Sequence, residues 1–210
     1  MTGDDASTRL TRKGQATRDR IVASASALMY ARGVAGTSTD DVQVAAGVST
    51  SQIYHYFQDK QALVHAVIAY QTELVLGIQQ PLLSQLDSLA GLRAWRDFVV
   101  QLQHRHNFAG GCPIGSLGSE LADSDDEARQ RVAAGFERWA RAIRDGLHAM
   151  RDRGELRAEA DPEQLGLAVL TALQGGLLLT QINRNTVALE AALDAMIEHV
   201  ASLVPGAVPA

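Results

Sequence analysis

The chain has 210 residues, of which 46% are apolar and 20% are charged, and its formal net charge is −5. This composition allows a sizeable folded core and differs from that of a disordered chain. The single cysteine excludes an internal disulfide framework and suits a reducing cytoplasm. No apolar run approaches the roughly 18 residues of a membrane-spanning helix, and the first residues, MTGDDASTRLTRKG, do not resemble a secretory signal.

Charge is distributed unevenly along the chain. Residues 1–60 contain 7 Lys/Arg and 6 Asp/Glu, whereas residues 61–210 contain 12 and 18. Several bases lie close to the N-terminus, namely Arg9, Arg12, Lys13, Arg18 and Arg20. Residues 1–14 are therefore predicted to form a basic arm, which either adds phosphate contacts or is an ordinary mobile terminus. Net charge alone does not indicate nucleic-acid binding.

The first predicted helix covers residues 16–32. Its apolar residues recur at helical spacing and form one stripe: Ile21, Ala25, Leu28 and Met29. Gly33 follows in the usual glycine position after a helix C-terminus. Ser38 or Thr39 can then cap a short second helix, with two Asp side chains at its positive end.

The segment 39–60, TDDVQVAAGVSTSQIYHYFQDK, predicts two short helices joined by a tight turn at Gly47. Ser49 and Gln52 form a capping box for the second of them, which covers residues 50–57. Ile53 and Phe57 face inward, and the outward side chains are Thr50, Ser51, Gln52, Tyr54, His55 and Tyr56. Polar and aromatic groups on so short a helix are typical of a surface that lies against a phosphate backbone.

The next predicted helices are longer and more apolar. Asp59 caps a helix over residues 60–78 that ends before Pro81, and its predicted buried face is Leu63, Val67, Tyr70 and Leu74. A helix over residues 89–107 turns four side chains inward: Leu92, Trp95, Val99 and Leu102. Pro113 begins a short helix that ends near residue 122.

Three further helices complete the predicted chain. A capping box from Ser124 to Glu127 opens a helix to residue 153, with an inward stripe of Val132, Phe136, Trp139, Ile143, Leu147 and Met150. Asp161 and Pro162 open a helix to residue 183 that is apolar nearly all round. The last helix covers residues 186–203. Two such apolar helices predict a partner subunit, and the alternative is a larger monomeric core.

Three motifs in register resemble the N-terminal DNA-binding domain of the TetR family of transcriptional regulators. They are ARG-x-x-x-TS, TDDV-x-x-AAGVS and IYHYF-x-DK-x-AL, and they fall within residues 15–65. Further along, GCPIGSLGSELAD and the FERWARAIRDGL helix resemble the LmrA/YxaF-like branch of that family. The resemblance implies an all-α fold of about nine helices. Residues 15–62 would form a three-helix helix-turn-helix domain, residues 63–204 a ligand-binding and dimerisation domain, and residues 205–210 a frayed tail.

The resemblance also implies how such a protein works. The expected form is a homodimer joined through its last two helices, which contacts a palindromic double-stranded operator in successive major grooves. A small molecule entering the C-terminal domain would release the DNA. Family members of this type are mostly repressors, and an activator is the alternative.

Site residues follow from the resemblance position by position. Thr39, Tyr56 and Lys60 match phosphate-contacting positions, and a Lys at a helix start opposes the helix dipole unless an anion is bound. Five positions of the predicted recognition helix can contact bases or nearby backbone: Thr50, Ser51, Gln52, Tyr54 and His55. Gln52 is the first choice for a base, through a bidentate pair with adenine, and the alternative is that it only completes its capping box.

Gln43 departs from the family pattern. The family usually has alanine at this position, packed closely against the recognition helix. A glutamine there is expected either to tilt that helix or to direct its amide toward DNA. Gln43 is therefore included among the predicted DNA-binding residues.

An effector pocket is predicted among the central helices. Its candidate lining is Trp95, Phe98, Leu102, His104, Phe108, Phe136, Trp139, Leu173, Gln174 and Leu177, with Asn183 as a further polar contact. For each residue plain core packing is the alternative. The aromatic side chains and the Gly175–Gly176 pair favour a mostly apolar or aromatic small molecule.

Other classes of function were compared with this interpretation. Cys112 precedes a predicted helix start, where a thiolate is favoured, so a redox-responsive regulator is one alternative and a packing role is the other. An enzyme would need a third group beside Cys112 and His104 or His106, and the acidic residues 120–126 lack the rest of a metal site. A protein–protein adaptor would leave the polar recognition helix unexplained. The sequence therefore predicts a cytoplasmic regulator that has no metal, cofactor or catalytic activity.

Overall fold

The computed structural model describes residues 10–206, which form nine α-helices and a short 3-10 helix, Leu82–Gln85, without a β-strand. The α-helices are α1 (Arg12–Arg32), α2 (Thr39–Ala46), α3 (Thr50–Tyr56), α4 (Lys60–Gly77), α5 (Leu89–Arg105), α6 (Pro113–Leu121), α7 (Asp126–Asp152), α8 (Pro162–Asn183) and α9 (Val187–Ser202). The predicted all-α class is confirmed. The predicted arm and tail lie partly outside the described residues, at positions 1–9 and 207–210.

Helix α1 begins one turn earlier than predicted. Thr11 is its N-cap, and the Thr11 hydroxyl accepts a hydrogen bond of 3.1 Å from the backbone N–H of Gly14. Because this cap satisfies one of the free N–H groups at the helix start, residues 12–14 extend the helix instead of belonging to an arm. At the other end Gly33 closes α1 as predicted, with its N–H donating to the carbonyl of Met29.

The chain divides into two compact units, Met1–Tyr70 and Gln71–Ala210. The division falls within α4, whereas the sequence placed it at residue 62. Leu63, Val64 and Val67, from the first half of α4, are buried side chains of the first unit. The first compact unit is therefore a four-helix unit that includes the start of α4.

The predicted buried face of α4 is wrong in its second half. Leu63 and Val67 are buried, but Tyr70 and Leu74 are 36% and 45% exposed. The buried positions there are Ile68, Gln71, Thr72, Val75 and Leu76. The buried stripe continues instead through Val64, Ile68, Gln71 and Val75, one position away from the predicted one, and it includes the polar residues Gln71 and Thr72, which an apolar pattern cannot reveal.

The long helices of the second unit begin at side-chain caps. Asp161 accepts bonds from the N–H groups of Glu163 and Gln164, as its position before Pro162 predicted. The cap of α7 is Asp125, which accepts from the N–H of Ala128 at 2.9 Å, and not the predicted Ser124. The Ser124 hydroxyl instead donates to the carbonyl of Leu121 and closes the preceding turn.

The core of the second unit includes a buried hydrogen-bonded pair. Trp95 is 1% exposed, and its indole N–H donates to the side-chain oxygen of Gln79 at 2.8 Å. The amide nitrogen of Gln79 donates in turn to the carbonyl of Val75 at 2.7 Å. Burial without such partners would cost about 1–3 kcal/mol per polar group. Most of the predicted inward positions are buried, but Leu102 and Phe136 are only half-buried.

The sequence had indicated that the Gly175–Gly176 pair provides room for a ligand. The structure gives the pair a different role. Gly176 is buried where α8 packs on α9, and a β-carbon added there would lie 2.7 Å from the Cα atom of Leu189. Gly175 is exposed and has nothing within 4 Å of its β-position. Glycine at position 176 therefore allows close approach of two helices.

Helix α8 has one buried and one exposed apolar face. Its exposed apolar side chains are Leu167, Leu178, Leu179 and Ile182, at 44–64% exposure, and α9 adds Val187 at 70%. By length and composition α8 could cross a membrane, with a mean hydropathy of 1.6 over 18 residues, of which 44% are buried. A core helix of a water-soluble protein has the same composition, so this is weak evidence for a membrane span.

Gly176→Ala is expected to lower the free energy of unfolding by about 1–3 kcal/mol, because the added methyl group meets the backbone of Leu189. Urea denaturation followed by circular dichroism measures the change. Gly77→Ala is the control, since nothing lies within 4 Å of its β-position at the end of α4. Equal stability of the two variants would contradict the close approach of α8 and α9.

Candidate nucleic-acid interface

Helix α2 starts with a complete capping box. The Ser38 hydroxyl accepts from the N–H of Asp41, and the Asp41 carboxylate accepts from the N–H of Ser38 at 2.9 Å. The Ser38 hydroxyl and backbone bonds, together with the charge of Arg32, hold the pKa of the half-buried Asp41 below its ordinary value. Thr39 is the first residue of the helix and is half-buried. The sequence had left open whether Ser38 or Thr39 is the cap, and the structure shows Ser38.

The turn between α2 and α3 is at Gly47, as predicted. Its φ of 60° and ψ of 46° are left-handed, a conformation that glycine adopts without steric cost. The next N–H, of Val48, donates to the carbonyl of Gln43 at 3.2 Å. From α1, the Arg20 side chain donates to the carbonyl of Ala46 at 2.9 Å and fastens the end of α2.

The predicted capping box of α3 is also present. The N–H of Ser49 donates to Oε1 of Gln52 at 2.9 Å, and the N–H of Gln52 donates to the Ser49 hydroxyl at 3.2 Å. A bidentate pair with adenine would need Oε1 of Gln52 as an acceptor. Because that oxygen already completes the cap, the DNA-free structure favours the capping role that the sequence had left as the alternative.

A side-chain hydrogen bond joins α2 to the first residue of α3. The Thr50 hydroxyl donates to Oε1 of Gln43 at 2.5 Å. Gln43 is half-buried and Thr50 is exposed. The amide of Gln43 is therefore engaged with the start of α3.

The remaining side chains of α3 divide into an inner and an outer set. Ile53 and Phe57 are 2% and 3% exposed, and the Arg18 guanidinium lies 5.2 Å from the ring centre of Phe57. The exposed side chains are Thr50, Ser51, Gln52, Tyr54 and His55, as predicted. Tyr56 is half-buried, with its ring edge-to-face with His55.

Lys60 has a partner that the sequence did not reveal. Its ammonium group donates to the carbonyl of Val34 at 2.7 Å, and the residue is half-buried. Asp59 caps α4 as predicted, through a bond of 2.7 Å from the N–H of Ala62. The hydrogen bond to the carbonyl of Val34, in the loop between α1 and α2, therefore accounts for a lysine at this helix start without a bound phosphate. The phosphate contact of Lys60 stays a prediction.

The predicted effector residues of the second unit differ widely in exposure. Four are buried: Trp95, Trp139, Leu173 and Leu177. Five are half-buried: Phe98, Leu102, Phe108, Phe136 and Gln174. His104 is exposed, as is Asn183. Three cavities of about 310–390 Å³ in this unit are lined by other residues.

The buried polar atoms of α7 and α8 that lack hydrogen-bond partners among the described residues include Nε1 of Trp139 and Oγ1 of Thr180. Trp139 and Thr180 are 3% and 0% exposed. Such groups are rare in folded proteins and require an explanation. Thr180 was missed in the sequence, where a hydroxyl within the apolar run LLLT was the only signal.

Cys112 is less reactive than its position before a helix suggested. Burial raises the pKa of its thiol above the ordinary value, although N–H groups of α6 and the Gln174 side chain partly oppose this. Because the thiolate is the reactive form, the structure favours packing over redox sensing. Among the described residues, no group of three or more His, Cys, Asp or Glu could hold a metal ion.

Comparison with known proteins matches the N-terminal and the C-terminal part of the chain to two family models. The family model for bacterial regulatory proteins of the tetR family matches residues 21–67, and that for the tetracyclin repressor-like C-terminal domain matches residues 88–196. The C-terminal model does not name the LmrA/YxaF-like branch. The finer assignment therefore stays a prediction.

Individual relatives agree with this assignment. The transcriptional regulator AcuR of Cereibacter sphaeroides is 30% identical over 153 residues, which cover 72% of this chain and 70% of AcuR. The regulator YxaF of Bacillus subtilis is 23% identical over 170 residues, which cover 80% of this chain and 86% of YxaF. A crystal structure of a TetR transcriptional regulator from Chloroflexus aurantiacus is 30% identical, with a TM-score of 0.79 over 92% of this chain and 98% of that one.

These regulators are not enzymes, which confirms the prediction that this chain is not one. The helix-turn-helix of α2 and α3 lies within the matched N-terminal region, and α5–α8 lie within the matched C-terminal region. The chain belongs to the TetR family of DNA-binding transcriptional regulators.

Proposed function

We propose that this chain is a cytoplasmic repressor that binds a palindromic operator as a homodimer and releases it when a small molecule binds. The exposed polar start of α3 carries this proposal. Its position is fixed by the Ser49–Gln52 capping box, by the turn at Gly47 and by the buried Ile53. A short polar helix held so firmly, with its outer side chains exposed, suits insertion into a major groove.

Base contacts are assigned to the outer side chains of α3. Tyr54 is 53% exposed, and it and His55 lie one turn beyond Thr50 and Ser51, within reach of thymine methyl groups or base edges. For Gln52 we propose a contact through one side-chain atom instead of the bidentate pair with adenine. Because Oε1 caps the helix, Gln52 contacts DNA through the two protons of Nε2, which suit an acceptor such as a purine N7.

Phosphate contacts are assigned to Thr39, Tyr56 and Lys60. The first N–H groups of α2 have no partner within the helix and carry a partial positive charge, which favours a phosphate beside Thr39. The Lys60 ammonium uses one proton for Val34, so two remain for a phosphate oxygen. These contacts orient the protein on DNA without distinguishing bases.

The homodimer is assigned to α8 and α9. Four exposed apolar residues of α8 lie on one side of the helix, because its period of about 3.6 residues brings positions 3, 4 or 11 apart onto the same face: Leu167, Leu178, Leu179 and Ile182. A soluble monomer rarely leaves such a surface in water. A second copy of the chain covers it in this proposal, because isologous contact pairs apolar surface with apolar surface.

The effector is proposed to bind near the unpaired polar atoms of α7 and α8. Trp139 Nε1 is a donor, and leaving a buried donor unpaired costs about 1–3 kcal/mol. A ligand with an apolar or aromatic body and an acceptor oxygen would pair with it. The effector class is thereby narrowed from any apolar molecule to one that carries a carbonyl or carboxyl oxygen.

Repression is preferred over activation for one reason. The family model that matches residues 88–196 describes a domain like that of the tetracyclin repressor. An activator of the same fold would bind the same DNA. Reporter expression from the cognate promoter distinguishes the two, because deletion of a repressor raises expression.

Tyr54→Ala is expected to weaken binding to the selected operator by about ten- to a hundredfold while changing non-specific binding little, because a base contact is lost. Fluorescence anisotropy at several salt concentrations measures both affinities. Tyr70→Ala, which removes an exposed tyrosine of α4, is the control. Equal effects of the two substitutions, or affinity independent of salt, would count against the proposed interface.

Leu178→Asp combined with Ile182→Asp is expected to raise the dimer dissociation constant at least about a hundredfold, because two carboxylates would be desolvated in the interface. Sedimentation velocity over a concentration series measures the change. Leu74→Asp combined with Ile78→Asp places the same charge on two exposed residues four positions apart and should leave the dimer intact. A wild-type chain that stays monomeric at micromolar concentrations would exclude the assigned dimer.

Aromatic ketones or acids are expected to raise the thermal midpoint and release operator DNA, whereas hydrocarbons of matched shape should have weaker effects. Trp139→Phe removes the unpaired donor. The variant should need about ten times more ligand to reach the same rise of the thermal midpoint. Trp95→Phe is the control, because that indole already donates to Gln79. No response to any compound of either set would end the effector hypothesis.

A further inference from the structure

Gln43 and Thr50 form a polar pair at the edge of the proposed DNA-binding surface. The Thr50 hydroxyl oxygen lies 2.5 Å from Oε1 of Gln43. O–H···O bonds have typical lengths of about 2.7 Å and N–H···O bonds of about 2.9 Å, so the short separation fits a hydroxyl donating to the amide oxygen. The Gln43 amide nitrogen has no partner among the described residues.

The position of the hydroxyl proton determines whether Thr50 can donate or accept a hydrogen bond to DNA. A threonine hydroxyl has one proton and two lone pairs. Because the proton of Thr50 is donated to Gln43, only lone pairs remain for another partner. Thr50 can therefore accept a hydrogen bond but cannot donate one. A phosphate oxygen, which has no proton to donate, is excluded as its partner.

The major groove offers few donors to such an acceptor. They are the exocyclic amino groups of adenine, N6, and of cytosine, N4, whereas guanine and thymine present oxygen acceptors at the corresponding edge. We propose that Gln43 sets the hydrogen-bond polarity of Thr50, so that Thr50 recognises a base amino group of adenine or cytosine. This inference rests on the proposed operator binding and specifies one base position within it.

Gln43 contributes the complementary half of the pair. Its Nε2 keeps two protons, so a donor stands beside the Thr50 acceptor. Adenine presents an N7 acceptor beside its N6 donor, and a C·G pair presents guanine acceptors beside the cytosine donor. Gln43 of α2 and Thr50 of α3 thus present together a donor beside an acceptor, as one free amide side chain would.

Neighbouring groups do not compete for this arrangement. Oε1 of Gln52 accepts from the backbone of Ser49, and the Ser51 hydroxyl bonds that of Ser49 at 2.9 Å. These bonds stay within the start of α3. Gln43 is therefore the partner that controls the Thr50 proton, and alanine at its position would leave the hydroxyl free to donate.

A simple brace between α2 and α3 is the competing explanation for the same bond. A brace affects stability and overall affinity but not which base is preferred at one position. The two explanations therefore differ in base preference at the position that Thr50 contacts. Thermal midpoints of each variant identify any loss of stability separately.

The test is binding-site selection with the full chain and a randomised double-stranded DNA library. Gln43→Met keeps the side-chain length without the amide, Thr50→Val removes the hydroxyl, and Thr50→Ser retains it. Gln58→Met is the control, because Gln58 is exposed and lies outside α2 and α3. The Thr50 position is identified as the base pair at which Thr50→Val loses its preference.

At that base pair the wild type and Thr50→Ser should prefer one base pair over the other three by about tenfold, because each base pair places its amino group at a different point across the groove. Gln43→Met should lose this preference, while other positions and the Gln58→Met selection stay unchanged. Replacing the selected base by an analogue without the amino group should weaken the wild type about tenfold but not Thr50→Val.

Two results would overturn the inference while leaving the proposed function intact. One is a wild-type affinity that does not change when the selected base is replaced by the analogue without the amino group. The other is a Gln43→Met selection that is identical to the wild type, whatever its thermal midpoint. If the folded wild type enriches no sequence at all, the proposed operator binding fails, and this inference fails with it.

Discussion

The structure depends on anchoring a recognition helix of only seven residues, α3. An isolated helix of this length is unstable in water, since helices below roughly 12–15 residues are marginal on their own. Burial of Ile53 and Phe57 contributes about 1.5–3 kcal/mol each, and the Ser49–Gln52 box satisfies the N–H groups of those two residues at its start. Arg20 of α1 holds the end of α2 beside it. The outer face of α3 can be polar because its inner face is so firmly packed.

Internal hydrogen bonds then decide which polar groups of this face remain available. The capping box engages one oxygen of Gln52, and Gln43 takes the proton of Thr50. Lys60 uses part of its donor capacity for the carbonyl of Val34. A sequence pattern identifies which residue types lie at the interface, whereas these bonds determine whether each group donates or accepts.

The sequence predicted features that depend on neighbours in the chain and missed those that depend on distant partners. The turn at Gly47 and the box at Ser49 follow from local chemistry, and both are observed. Gly176 was misinterpreted because its function depends on the backbone of Leu189, and the hydrogen bond of Lys60 was missed because its acceptor is a carbonyl in an earlier loop. The candidate DNA surface was therefore predictable as a set of residues, but its hydrogen-bond polarity and the effector site were not.

The central claim is that two copies of α3 contact one operator symmetrically. Hydroxyl-radical footprinting of the full chain on its selected operator tests this most directly. The account predicts two equally protected patches, related by a twofold axis, with centres about one helical turn (roughly 34–36 Å) or slightly more apart. A single protected patch, or uniform protection that does not depend on sequence, would contradict it.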